Sequence, residues 1–150
     1  MKKLLAVAAV LSGYIFFEVL QYIVGHLAAL AIPREYFLWF GKQYSMLALA
    51  IEEGFIIALP MFILSIIWSI FTNLIFGKNH LLISTGCLIG YFLHWIVTIF
   101  NTNINFMLVL SSMFQPYTIL TTVAVPIGIL CAGFVLSKFS HTNQHQRLVQ

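Results

Sequence analysis

Three observations predict an all-α integral membrane protein, a four-transmembrane-helix bundle with short loops. Hydrophobic residues make up 61% of the 150-residue chain, and its mean hydropathy is +1.01. Charged residues amount to 7%, against roughly 25% in a soluble domain, too few to cover a water-facing surface. The apolar residues also fall into long runs punctuated by Pro, Gly, Asn and the few charges. In lipid such runs satisfy their backbone groups as helices.

The first span is expected over residues 4–32. Met1-Lys2-Lys3 followed by Leu4 to Ala8 begins like a secretory signal peptide, but the apolar stretch runs far past a signal core and has no convincing cleavage site. At about 1.5 Å per residue it exceeds a hydrocarbon core of roughly 30 Å, so it should tilt or emerge. Pro33 stops it. Arg34, Glu35 and Lys42 mark a short connection, with Tyr36, Trp39 and Tyr44 as an interfacial aromatic belt. The second span is 44–76, and Pro60 is expected to kink it. Gly77-Lys78-Asn79-His80 turns the chain into the third span, 81–100. Ile104 to Met113 is too short to cross, and reads as interfacial, re-entrant or an extension of the third span. The fourth span is 117–138, with Pro126 inside it, and 139–150 is a polar tail expected to fray. The chain reads as a single membrane domain. No heptad run, low-complexity segment or internal repeat is read in it.

Four crossings put both termini on one side. Lys2, Lys3, Lys78, Lys138 and Arg147 would share that side, against Arg34 and Lys42 on the other. The excess predicts cytoplasmic N and C termini in a bacterial inner membrane. A formal charge of +3 spread over short loops offers no nucleic-acid surface. Cys87 and Cys131 lie in apolar runs without a CxxC and read as packing residues.

Chemistry-bearing residues are few. Glu52 and Glu53 sit side by side in the second span, and Glu18 lies near the middle of the first. A carboxylate at membrane depth costs on the order of 2.5–3.5 kcal/mol on insertion scales, so each must be protonated, partnered or turned toward a wet interior. Tyr14, Glu18, Gln21 and Gly25 step by four, three and four along one face of the first span, with His26 on the flank of that stripe. Gly86, Gly90, His94 and Thr98 step by four along the third, the glycines offering close helix packing. The expected site is a polar, proton-binding cavity walled by Glu52, Glu53, His26 and His94, with Glu18 at its floor. The alternative for Glu52 and Glu53 is the headgroup level, and for His26 and His94 a packing role.

No catalytic residue, metal site or cofactor is predicted. His26 and His94 lie on different spans without a local ligand pair. Glu52, Glu53 and His94 do not complete the pattern of double-glutamate membrane proteases, which needs an Arg where Ile57 stands. Glu18 echoes the lone first-span Glu of small four-span multidrug exporters, with nothing around it extending the echo. The expected function is a non-enzymatic accessory, regulatory or immunity-type partner of another membrane protein, embedded in the lipid bilayer. The alternative is a small homo-oligomeric proton-coupled transporter or channel using Glu18. A weaker third is a membrane enzyme with Glu52, Glu53 and His94 around a metal.

Overall fold

A computed structural model describes residues 2–31, 51–77, 79–102, 105–115 and 118–148. Helix α1 spans Lys2–Ala31, α2 Leu59–Phe76, α3 His80–Asn101, α4 Phe106–Met113 and α5 Ile119–Leu148. A π-helical segment, Glu52–Ala58, runs directly into α2. Four stretches are long and apolar enough to cross a membrane: Lys3–His26, Glu53–Phe76, His80–Asn101 and Ile119–Ser140. The protein is a four-helix membrane bundle. Bulky aliphatic side chains such as Leu4, Ile67, Leu74 and Leu130 stand exposed around it, as a lipid-facing surface requires.

Each boundary has a local cause. Pro60 has no N–H, and its ring crowds the carbonyl four residues back. Ahead of it the helix widens instead of simply kinking, and the Leu59 N–H reaches the Gly54 carbonyl five residues back. Gly77 closes α2 at φ 86°, a left-handed conformation that favours glycine, and its N–H bonds the Asn73 carbonyl at 3.0 Å. Helix α4 is separate from α3: Asn105 caps it by accepting from the Met107 N–H at 3.0 Å. The Thr122 hydroxyl donates to the Met113 carbonyl at 3.2 Å and Thr118 donates to the Ser112 carbonyl, tying α4 to the start of α5. Helix α5 continues past the expected end of the fourth span, through the polar tail to Leu148. After Gly133 the chain holds no Gly or Pro that would stop it. The start of the expected second span, 44–50, lies outside the described residues.

Packing is led by α1 against α3 and by α2 against α5, with α3 also on α5. A shared core of Phe16, Phe17, Leu20, Cys87, Tyr91, Val125 and Ile129 joins them. The α1–α3 contact is the closest. A Cβ on Gly13 would overlap the Cys87 carbonyl, and one on Gly90 would overlap the Val10 carbonyl. On Gly86 it would stand 2.8 Å from the Ala9 side chain. The first two contacts are reciprocal. The shift in numbering that carries Gly13 onto Gly90 carries Val10 onto Cys87 and Tyr14 onto Tyr91.

Short motifs recur beside these contacts. Leu11-Ser12-Gly13-Tyr14 is echoed by Leu88-Ile89-Gly90-Tyr91, and Ala58-Leu59-Pro60-Met61-Phe62-Ile63-Leu64 by Ala124-Val125-Pro126-Ile127-Gly128-Ile129-Leu130, at a different offset. The helices lie side by side and parallel in pairs: α1 on α3, and α2 on α5, where Gly54 faces Leu120 and Gly128 faces the Phe62 carbonyl.

Gly90→Val should prevent the α1–α3 approach and cost about 1–3 kcal/mol or more through overpacking. Gly25→Val, where a Cβ meets nothing within 4 Å, should cost far less. Unfolding titrations of both variants in detergent would measure the difference.

Candidate functional site

Glu18 on α1 and His94 on α3 come together just beyond that crossing. They lie level, each about two-thirds of the way along its span. His94 Nε2 stands 2.8 Å from Glu18 Oε1. The imidazole is packed on both faces: the Phe17 ring stacks at 4.5 Å between centroids and the Tyr14 ring lies tilted at 4.2 Å. One turn further along α3, the Thr98 hydroxyl lies 3.2 Å from His94 Nδ1 and donates to the His94 carbonyl at 3.0 Å. The histidine side chain is 7% exposed, the glutamate side chain 67%. The pair thus has a sealed base and an open acid, and the acid faces the outside of the bundle at membrane depth.

Of the other residues expected in the cavity, His26 does not join this pair. His26 lies eight residues further along α1, about 12 Å along the axis, with Nδ1 bonded to the Tyr22 carbonyl at 2.8 Å and its ring 4.3 Å from that of Tyr22. Glu53 sits half-buried on the π-helical segment. The side chain of Glu52 lies outside the described residues. A cleft of about 460 Å³ opens between α1, α2, α3 and the π-helical segment. Its walls are mainly apolar, formed by Phe17, Ile57, Met61, Tyr91 and Trp95, with Gln21 the amide among them. No group of three or more metal-ligating side chains occurs among the described residues.

A second polar cluster is buried where α2, α3 and α5 meet, toward the His80 end. The Ser69 hydroxyl donates to the Ile129 carbonyl at 3.1 Å, so at 3.3 Å from Ser84 it accepts. The Asn73 amide donates to the Ser69 carbonyl at 2.8 Å and to the Ser84 hydroxyl at 3.1 Å. Its oxygen meets His80 Nδ1 at 3.1 Å, where the ring N–H donates. Alongside, Trp68 Nε1 donates to the Ser12 hydroxyl at 3.0 Å, and Ser12 meets Thr72 at 3.0 Å. Glycines make the room: a Cβ on Gly128 would overlap the Ser65 hydroxyl, and one on Gly133 that of Ser84. Each donor has an acceptor, which marks a packing device that fixes register in lipid.

In the sequence Ser65, Ser69 and Asn73 step by four along the second span as a weak polar row. Sequence reasoning missed Ser12, Thr72, Ser84, Gly13, Gly128 and Gly133. The repeated Leu-x-Gly-Tyr was the available signal for Gly13. The chain matches no known protein family, no curated protein and no solved structure.

Asn73→Leu strands the His80 ring and the Ser84 hydroxyl together, and should lower stability in detergent by about 1–2 kcal/mol. Thr98→Val, which removes one contact beside a half-open site, should cost less than 1 kcal/mol. Denaturant midpoints of the two variants would establish the order.

Proposed function

We propose that the protein is a non-enzymatic membrane subunit that assembles with another membrane protein through one half of α1. The observation that carries this is a change of character along the exposed stripe of that helix. Over its first half the stripe is aliphatic, with Leu4, Val7, Leu11 and Ile15 all exposed. Beyond it the exposed residues are Glu18, Gln21, Tyr22, Gly25 and His26, with Val19 the one aliphatic among those described. Lipid tails satisfy the first set. They leave a carboxylate, an amide and an imidazole without partners, at several kcal/mol for the acid alone.

A neighbouring helix removes that cost. Gly25 offers an open notch in which a second backbone can approach closely, and one turn or two below it Glu18 offers an acceptor. Among the described residues Glu18 Oε2 has no hydrogen bond, so the complementary helix carries a Lys, Arg or amide donor at that depth. The short loops offer little other surface for recognition. The excess of Lys and Arg on the side of the termini supports cytoplasmic ends in a bacterial inner membrane.

A photo-crosslinking residue at Tyr22, compared with one at Leu11, tests the assignment in native membranes. The expected result is a discrete adduct from Tyr22, mapping to a transmembrane segment with a basic or amide side chain, and lipid adducts alone from Leu11. Glu18→Ala should reduce the Tyr22 adduct about 5–30-fold, the equivalent of about 1–2 kcal/mol. Lipid adducts alone from both positions would sink the proposal. An adduct to a second copy would replace it with a homo-oligomer.

A further inference from the structure

We propose that Glu18 and His94 form a proton-exchange site, sharing one proton between Oε1 and Nε2 and taking up or releasing a second from the outer side. The inference rests on the hydrogen-bond chain through His94, independently of what docks on α1.

Thr98 has a single hydroxyl hydrogen, within reach of the His94 carbonyl at 3.0 Å and of Nδ1 at 3.2 Å. With that hydrogen on the carbonyl, the hydroxyl oxygen accepts from Nδ1, and Nδ1 carries a hydrogen. That leaves Nε2 facing Glu18 Oε1 at 2.8 Å, a distance that requires one proton between them. Two arrangements provide it. A protonated Glu18 donates to a bare Nε2, or an imidazolium donates to a carboxylate, and the proton passes from one heavy atom to the other without any other bond changing. Both arrangements are neutral overall, the condition under which a titratable pair persists at membrane depth. Uptake of one proton from water gives carboxylic acid plus imidazolium, net +1. Release of one gives carboxylate plus neutral imidazole, net −1.

The surroundings favour exchange on one side. Glu18 is two-thirds exposed on the outside of the bundle while His94 is sealed by Phe17 and Tyr14, so a proton comes and goes through the acid, by way of water or a polar neighbour that reaches that face of α1, and the base is the store. The titratable groups nearby are Tyr14 on α1, Tyr91 one turn back on α3, and Glu53 on the π-helical segment, which packs against α1. Helix α2 contributes none, and α5 carries Cys131 near its middle and Lys138, His141, His145 and Arg147 toward its far end.

Infrared difference spectroscopy of the full chain in lipid bilayers, with deuterium oxide exchange, tests this. The expected wild-type result is a carboxyl band, absent in Glu18→Gln, that gains and loses intensity with pH and exchanges its proton promptly. Thr98→Val should keep the band and its prompt exchange, since the proton enters at Glu18. A Glu18 band that is constant across pH and protected from deuterium would overturn the site.

Discussion

The contact between α1 and α3 governs the rest of the molecule. Between helices in lipid there is no hydrophobic drive, since a lipid tail is as apolar as a leucine. What remains is close packing and hydrogen bonding, and both need backbones to approach. Gly13 and Gly90 supply that approach reciprocally, each lying against a carbonyl of the other helix. From this fixed point both helices run in the same direction, so His94 arrives level with Glu18 and between Tyr14 and Phe17. A crossing wider by an ångström would break a hydrogen bond of 2.8 Å and open the sealed imidazole to lipid.

The reciprocal glycine contacts explain why the site has one polar flank. The shift that carries Gly13 onto Gly90 also carries Phe17 onto His94 and Glu18 onto Trp95. Across the local two-fold, one flank therefore holds Glu18 against His94. The symmetry-related flank offers Phe17 and Trp95, which line the apolar cleft. A single backbone arrangement presents polar chemistry on one side and a hydrophobic wall on the other. The second pair of helices repeats the logic with proline: Pro60 follows the π-helical segment, whereas Pro126 lies within α5.

Much of the architecture is legible in composition, because a chain with so few charges has one solvent in which it can fold. Span positions follow from Pro33, Gly77 and the Asn-rich break after Phe100. Glu18 and His94 each stand out as polar residues in apolar runs, but nothing in one sequence fixes the register between two helices, so their pairing was not legible. Grouping His26 with them failed because common depth is not common position: His26 belongs to Tyr22 on its own helix. The Leu-x-Gly-Tyr echo that marks the two close-packed glycines is short and drawn from residues abundant throughout the chain. The serine–asparagine cluster was hidden for another reason. Its meaning depends on Gly128 and Gly133, and absent side chains signal nothing until a neighbour fills the space.

The two polar clusters differ in a way that separates structure from activity. Around Asn73 both amide hydrogens have acceptors, and of its partners Ser69 and Ser84 are buried and His80 half-buried. Such a cluster lowers its energy only by staying as it is, and perturbing it leaves stranded groups in lipid. The Glu18–His94 pair is satisfied on its inner side and open on its outer side. Its protons have two arrangements of equal net charge, and the exposed acid meets whatever lies against α1. An arrangement that is complete except toward one direction can respond to what arrives from that direction. The asymmetry of exposure between the two residues, more than their chemistry alone, is what distinguishes this pair from a polar contact that only holds helices together.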